Sequence, residues 1–191
     1  MKTITCTKAL VIAISVGVSL LCITVYAAVT ADVLFVGTIP GSQVFNGSAT
    51  VSTRALTLKP GEKLPWHYHP GFAFNVVKSG TLTVEDGCGG EKTLTPGQGF
   101  EEMDGRVHRG KNLSGAEVVV YDTFIIPEGK PLTVQIPGGE SRCGPPLDVP
   151  ECRNDGWRKF THPQSFTNQG QCESFVRRLR ETRFQFQKSP Y

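Results

Sequence analysis

Short runs of alternating hydrophobic and polar residues fill the middle of the chain, and turns containing glycine or proline separate them. The run ATVSTRALTL at 49–58 alternates as a strand with one buried face does, and EVVVYDTFII at 117–126 is apolar enough for a buried strand. The run FNVVKSGTLTVEDG at 74–87 contains two strands separated by Ser-Gly, which indicates a hairpin or a tight corner. No helical pattern of any length precedes residue 165. Short, evenly spaced strands of this kind predict an all-β barrel or sandwich over residues 32–136.

The alternating pattern stops after the predicted barrel. Residues 137–150 are rich in proline and glycine and have no period, which is typical of a linker. Residues 151–191 contain aromatic residues, amides and two cysteines, with a short helix predicted around 171–182. This segment is too short to bury a large core, so a cysteine pair is the expected substitute for one. We therefore predict a small C-terminal module.

The N-terminus has the layout of a secretory signal. Lys2 and Lys8 precede an apolar run over 9–29, and small residues follow in VYAAVTA at 25–31. The prediction is a signal peptide over residues 1–27, removed after Ala27. The alternative is a retained membrane anchor over residues 9–29. Both place the remaining chain outside the cytoplasm, as a secreted, periplasmic or membrane-anchored protein.

Composition narrows the classes of partner. The 191 residues include 21 glycines and 13 prolines, 19% are charged, and the formal net charge is +3. So small a positive charge does not indicate nucleic acid as a partner. Outside the cytoplasm an even number of cysteines predicts disulfides, and those beyond the signal are Cys88, Cys143, Cys152 and Cys172. Four cysteines allow three pairings. A zinc site is the alternative, although no close C-x2-C spacing is present.

Candidate metal chemistry is concentrated in three histidines. His67 and His69 are one residue apart in a stretch that reads as a strand, so their side chains point to the same side. Imidazole nitrogens suit zinc, copper, iron, nickel or manganese, but two ligands hold a metal poorly. His108 is the candidate third ligand, because strands far apart in sequence can be neighbours in a barrel. The alternative, for any two histidines this close in sequence, is that they are surface residues and bind no metal.

Two patterns of glycine and histidine, in the right order and spacing, resemble the two signatures of the cupin family. Their residues are Gly61, His67, His69 and Gly80 in the first and Gly97, Gly105, His108 and Asn112 in the second. The resemblance covers roughly residues 45–136 and is closest to small, secreted bacterial single-domain cupins. It implies a double-stranded β-helix, a jelly-roll-like barrel, that holds one divalent transition metal ion (Fe, Mn, Zn, Ni or Cu) on the three histidines. Asn112 is expected to fix a turn.

One departure from the cupin pattern concerns the metal directly. The family's carboxylate ligand falls at Ala73, which leaves a neutral three-histidine face on which a bound cation keeps its full charge. Glu102 is the candidate replacement, as a ligand or as a partner of one, because the resemblance places it on the inward side of its strand. The alternatives are an exposed Glu102 at the barrel rim and a barrel whose metal affinity has decayed. A second departure, Met103 in place of the family's proline, is expected to change only a turn.

Residues around the histidines are the candidate substrate contacts. Asn75 lies two positions after Ala73 and therefore points the same way. Aromatic residues are expected to line the barrel or its mouth, namely Phe72 and Phe100 with Phe74 and Trp66. The alternatives are a structural hydrogen bond for Asn75 and core packing for the aromatic residues.

The C-terminal segment resembles a short module found at the ends of many secreted bacterial proteins, to which we assign no activity. The resemblance lies in Cys152, Gly156, Trp157, Phe160, Pro163, Phe166, 168–172 and 174–176. A Cys152–Cys172 disulfide would staple this module, and Cys88 and Cys143 would then pair by elimination. The basic run RRLRETR at 177–183 is expected to be solvated, with attachment to an anionic cell-surface polymer as the sharper alternative.

Two classes of function follow from these observations. In the first, the chain is a metal-dependent enzyme of dioxygenase or isomerase type, and a small molecule takes the open positions of the metal. In the second, the barrel is a non-catalytic module that captures a small ligand or a metal, and the tail attaches to a surface. Fold does not decide between them, since the same barrel hosts oxygenases, isomerases, storage proteins and sensors. A homodimer is compatible with both classes.

Overall fold

A computed structural model describes residues 29–42, 44–45 and 47–184, and these residues form two five-stranded antiparallel sheets followed by a short helical tail. The predicted signal peptide over residues 1–27 lies outside the described residues. The strands are β1 Thr30–Ser42, β2 Gly47–Leu58, β3 His67–Tyr68, β4 Phe72–Ser79, β5 Leu82–Asp86, β6 Glu91–Leu94, β7 Gly99–Glu102, β8 His108–Lys111, β9 Val118–Pro127 and β10 Val134–Gln135. The first sheet has the order β1-β2-β9-β4-β7, and the second has the order β10-β3-β8-β5-β6. The all-β barrel and its double-stranded β-helix topology are confirmed.

Strand alternation decides which side chains fill the barrel. On β4 and β9 the buried and less buried residues alternate strictly, as a period of two requires. The register then stacks the inward side chains of the first sheet into layers. One layer holds Ser52, Phe124, Ala73 and Glu102, and the next holds Arg54, Asp122, Asn75 and Phe100. Two successive layers of the barrel therefore carry polar groups.

The Ser-Gly break in the sequence is a corner between the two sheets. Gly80 has a φ of 76°, and a Cβ at this position would collide with the carbonyl oxygen of Glu117. Glycine is therefore required where the chain leaves β4 and crosses to β5 in the opposite sheet. Asn112 fixes another turn, since its Nδ2 donates to the carbonyls of Leu58 and Ala116.

An apolar cluster fills much of the barrel interior and reaches the cavity beside the histidines. It consists of Leu56, Leu58, Val77, Leu82, Leu94, Val118 and Val120. Each of these side chains is at most 7% exposed. Burial of a side chain of this size contributes roughly 1.5–3 kcal/mol, so this cluster carries much of the barrel's stability.

The C-terminal tail has a core of its own, held by two disulfides. The bonds join Cys88 to Cys143 and Cys152 to Cys172, so the predicted pairing is confirmed. The tail core contains Phe160, Phe166 and Val176 beside the buried cysteines, and the α-helix α1, Gln169–Phe184, supplies part of it. Three short 3₁₀ turns precede the helix, at Pro137–Gly139, Pro150–Cys152 and Gly156–Lys159. The two disulfides are what an extracytoplasmic protein is expected to carry.

The tail lies against the second sheet of the barrel. The guanidinium of Arg106 donates to the Pro145 carbonyl over 2.8 Å, and the rings of Tyr68 and His162 lie 4.9 Å apart. His162 is thus half-buried, because Tyr68 faces out of the barrel and packs against it. No helix in the described part of the chain combines the length and the apolar character needed to cross a membrane.

Removal of the tail disulfide should lower stability by a predictable amount. The Cys152–Cys172 bond closes a loop with a sequence separation of 20, which corresponds to about 3 kcal/mol in the chain-entropy description. We expect Cys152→Ser/Cys172→Ser to lose about that much free energy of unfolding, measured by urea denaturation.

The second disulfide provides the matched comparison. Cys88–Cys143 has a sequence separation of 55, so Cys88→Ser/Cys143→Ser should lose about 4 kcal/mol. An unchanged urea midpoint in either double variant would contradict the structural role of that bond.

Candidate metal site

Three buried histidines converge inside the barrel. His67 belongs to β3 and faces His108 of β8 in register, while His69 follows β3 at the turn into β4. The three side chains are at most 4% exposed. Their candidate ligand atoms all lie within 4.8 Å of one another. The structure therefore brings together the three histidines that the sequence indicated as candidate metal ligands.

Each imidazole is oriented by a hydrogen bond to a backbone carbonyl. Nδ1 of His67 lies 2.8 Å from the Pro65 oxygen, Nδ1 of His69 lies 2.6 Å from the Leu132 oxygen, and Nδ1 of His108 lies 2.8 Å from the Arg106 oxygen. A carbonyl only accepts, so Nδ1 must carry the proton in all three rings. In the neutral imidazoles the Nε2 lone pairs remain, and this is how second partners prepare histidines to bind a metal.

A carboxylate sits beside these nitrogens, although Ala73 has none. Ala73 is fully buried, and its partner across the β4–β7 ladder is Glu102. The Glu102 oxygens lie 3.2 Å from Nε2 of His69 and 3.1 Å from Nε2 of His108. The carboxylate missing from β4 is thus replaced by one from the neighbouring strand, at the same level of the barrel.

Burial and mutual charge set the protonation of this cluster. Burial, with the neighbouring histidines, lowers the pKa of His67 to about 3, so this ring stays neutral. Burial alone would raise the pKa of Glu102, but His108 and His69 hold it well below its usual range. Burial alone would lower the pKa of His108, but the Glu102 carboxylate raises it. Glu102 is therefore ionised, and its negative charge favours a proton or another cation at its contact with His108.

The contact between Glu102 and the histidines tests whether the site fits a metal. An ionised carboxylate and an imidazole lone pair are both acceptors, and acceptors about 3 Å apart repel unless a cation lies between them. A proton can fill that role, and so can a metal ion. Nε2 of His108 is also buried, and among the described residues its short contact with Glu102 does not have the geometry of a hydrogen bond. Three imidazole nitrogens and one carboxylate make a donor set that suits a divalent transition metal.

The segment that carries His108 is tied to a disulfide. The amide of Val107 donates to the Gly144 carbonyl over 3.0 Å, and the amide of Gly87 donates to the Val107 carbonyl over 2.8 Å. Cys88 and Cys143 are the chain neighbours of those two glycines and are bonded to each other. The disulfide therefore clamps the backbone on both sides of the residue preceding His108.

A small cavity lies next to the histidines. Its volume is about 20 Å³, which is enough for about one water molecule. Its polar lining comes from His67, His69, Glu102, Arg54 and Asp122. The remaining wall is apolar and consists of Leu56, Leu64, Leu82, Val84, Phe100, Gly110 and Val120. The cavity therefore combines candidate ligands, one charged pair and an apolar surround.

Only some of the predicted substrate contacts lie at the cavity. Phe100 lines the cavity, and Asn75 is 3% exposed on the inward face of β4. Phe72 does not line the cavity: it lies on the outward face of β4, and its ring packs 5.9 Å from that of Phe45. The expectation for Phe72 is wrong because Ala73 and Asn75 face inward, so their neighbour at 72 must face outward.

Two other predicted lining residues lie outside the barrel. Phe74 is 44% exposed on the outward face of β4, for the same reason of alternation. Trp66 is buried against Val107 and Ile136, and the Arg109 guanidinium covers its ring at 4.3 Å. Neither ring contributes to the cavity.

Sequence reasoning missed the charged pair in the cavity wall. Arg54 and Asp122 face each other across β2 and β9, and Arg54 Nε donates to Asp122 Oδ2 over 3.0 Å. Burial raises the pKa of Asp122 to about 7, against the attraction of Arg54. The signal was present, because Asp122 is the one charge in the interior of the strand predicted to be buried, and such a charge needs a partner.

Comparison with known proteins agrees with this geometry. The family model described as a cupin domain matches residues 55–124. That span runs from β2 to β9 and includes all three histidines and Glu102. No curated protein matches the chain.

Several solved structures resemble the chain at low identity. An uncharacterized conserved protein with a double-stranded β-helix domain from Klebsiella pneumoniae is 16% identical, with 58% of this chain and 85% of that chain covered and a TM-score of 0.45. The cupin domain of an XRE family transcriptional regulator from Enterobacter cloacae is 23% identical, with 53% and 100% covered and a TM-score of 0.41.

An oxalate oxidase in complex with glycolate is also 23% identical, with 46% of each chain covered and a TM-score of 0.40. This chain thus spans less than half of that oxidase. The family match covers most of the strands that build the barrel and the histidines at its centre, so residues 55–124 form a cupin domain.

Proposed function

We propose that the protein is a secreted or periplasmic metalloenzyme whose cupin domain binds one divalent transition metal through His67, His69, His108 and Glu102. The observation that carries this proposal is the placement of Glu102 opposite Ala73, with both carboxylate oxygens at the Nε2 atoms of two histidines. When bound, such a metal supplies Lewis acidity and, if it is iron, manganese or copper, redox chemistry with dioxygen. The reaction class that we propose is a dioxygenase-type conversion of a small molecule.

The residues of the chain have separate roles in this proposal. The backbone carbonyls at the three Nδ1 atoms hold the imidazole rings in the ligating tautomer. Glu102 offsets one positive charge of a divalent ion, so the site is less cationic than three histidines alone would make it. The apolar wall around Phe100 restricts water near the metal, which strengthens electrostatic interactions with a bound substrate.

Metal content is the first property that tests the site. We expect the mature, oxidised protein, purified without a histidine tag, to contain close to one equivalent of metal by elemental analysis. His67→Ala/His108→Ala should contain none, because two of four donors are lost. His162→Ala is the matched control, since His162 lies outside the cluster and should leave the metal content unchanged.

The identity of the metal then separates the two classes of function. Iron, manganese or copper together with oxygen consumption would support the oxygenase. Zinc without turnover would favour the alternative of a non-catalytic binding module. Metal in the wild type no higher than in the double variant, even after reconstitution, would contradict the metalloprotein altogether.

Relocation of the carboxylate tests the role of Glu102. Glu102→Ala should weaken zinc binding roughly 10- to 100-fold, because it removes the anion beside two Nε2 atoms. Ala73→Glu/Glu102→Ala should recover much of that loss, since position 73 faces position 102 and can fill the space that Glu102 leaves. Zinc affinity is measured by competition with a chelating dye.

Glu101→Ala is the matched control for this experiment. Glu101 is the exposed neighbour on the outward face of β7, so its removal should not change zinc affinity. Equal zinc affinities in wild type and Glu102→Ala would show that Glu102 is no part of the site.

Acidification should weaken metal binding. Since Glu102 raises the pKa of His108, a proton occupies this histidine already above its ordinary titration range, and a metal must displace it. Zinc affinity should fall as the pH is lowered from about 8 to about 6, approaching about tenfold per pH unit once His108 is protonated. Calorimetry in two buffers of different ionisation enthalpy counts the released protons.

Glu102→Gln provides the comparison for the pH profile. Without the carboxylate the pKa of His108 should fall, so the decline in zinc affinity should move to lower pH. A zinc affinity independent of pH over this range would contradict proton displacement from His108.

A further inference from the structure

A polar layer lies next to the proposed metal layer inside the barrel. The register aligns Arg54 of β2, Asp122 of β9, Asn75 of β4 and Phe100 of β7 side by side. Two of these side chains carry opposite charges, and both line the cavity that the histidines share. Burying a charged group inside a barrel costs free energy unless the group is paired or binds a ligand. The presence of two charged groups in this layer therefore requires an explanation.

Arg54 is held in a fixed orientation with part of its guanidinium unused. Its Nε donates to Asp122 over 3.0 Å, and its Cζ lies 4.6 Å above the centre of the Phe124 ring. The same Phe124 ring packs against His69, with centroids 4.9 Å apart. Among the described residues neither Nη nitrogen of Arg54 has a hydrogen-bond partner. Arg54 thus presents free donors from a rigid position close to the histidines.

A second donor in the layer is also unpaired. Nδ2 of Asn75 is buried and has no hydrogen-bond partner within the described structure, and Asn75 is only 3% exposed. A buried amide without a partner costs roughly 1–3 kcal/mol, so it is retained where something else accepts from it. Arg54 and Asn75 flank Asp122 in register, and the layer therefore offers more donors than its own acceptors use.

We propose that Arg54, aligned by Asp122, binds the carboxylate group of a small organic acid inside the barrel, beside the histidine cluster. A guanidinium recognises a carboxylate through two parallel N–H donors, and its free Nη atoms provide them. This inference rests on the proposed function, since it names the substrate class of the same cavity.

The surroundings of Arg54 favour a small monocarboxylate over larger or more highly charged anions. The cavity of about 20 Å³ holds about one water molecule, so the side chains around it must move to admit even a compact carboxylate. Asp122 and Glu102 both face the cavity, and their negative charge disfavours a second anionic group on the ligand. The wall of leucine, valine and phenylalanine suits a short apolar chain attached to the carboxylate.

Propionate and its neutral isostere propionamide test the proposal directly. Their binding to the full mature protein is measured by NMR chemical-shift titration, in metal-free and zinc-loaded samples. We expect propionate to bind at least tenfold more tightly than propionamide to the wild type. Arg54→Gln should lose at least tenfold in propionate affinity and little in propionamide affinity.

Arg54→Gln/Asp122→Asn guards against a merely structural effect, because it removes both charges and leaves no unpaired carboxylate. It should lose propionate affinity as Arg54→Gln does. Arg158→Gln is the matched control, because the Arg158 side chain lies in the tail and is 65% exposed. This variant should bind propionate as tightly as the wild type does.

Three results would overturn the carboxylate site: equal affinities of the wild type for propionate and propionamide, undiminished propionate binding in both Arg54 variants, or no propionate binding to the wild type in either sample. The metal-free sample separates this proposal from the one on which it rests. Propionate binding that depends on Arg54 in a protein that takes up no divalent transition metal, even after reconstitution, would support the carboxylate site and contradict the metalloenzyme.

Discussion

A buried carboxylate that faces two imidazole nitrogens requires a cation, and the centre of this barrel is arranged around that requirement. Backbone carbonyls hold the protons on Nδ1, so the Nε2 atoms of His69 and His108 meet Glu102 as acceptors. Such an arrangement is unfavourable in an empty, neutral site and favourable once a positive charge enters. Ring orientation, burial and the low pKa of His67 all act in the same direction, toward a cation shared by several donors.

Either β4 or β7 can supply a carboxylate at the same level of the barrel, so the site tolerates the loss of the carboxylate from one of these strands. Ala73 and Glu102 are direct partners in the β4–β7 ladder, so the small residue on one strand leaves space for the acid on the other. The fixed element is the position of the negative charge within the barrel rather than the residue number that supplies it. The charged pair Arg54–Asp122 one layer away lines the same cavity, and Phe124 contacts both Arg54 and His69.

The strand pattern and the spacing of the histidines predicted the all-β fold and the three candidate ligands, whereas the inward position of Glu102 followed from the resemblance to cupins. The sequence did not predict the contact of Glu102 with two histidines, since that requires the register between β4 and β7. The error at Phe72 came from an aromatic residue being given a cavity position although its neighbour Ala73 already faced inward. Arg54 was missed because one charge in an alternating strand reads as solvent-facing until its partner Asp122 is known.

Because the Cys88–Cys143 disulfide supports the segment before His108, the site is complete only after this disulfide has formed. Before Cys88 and Cys143 are oxidised, the two hydrogen bonds of Val107 to Gly87 and Gly144 are not reinforced by a covalent link between those two segments. A reducing compartment would therefore produce a chain with its ligands present but one of them poorly anchored. Metal selection would then follow disulfide formation, so the metal pool of the compartment in which Cys88 and Cys143 are oxidised would decide which ion the protein carries.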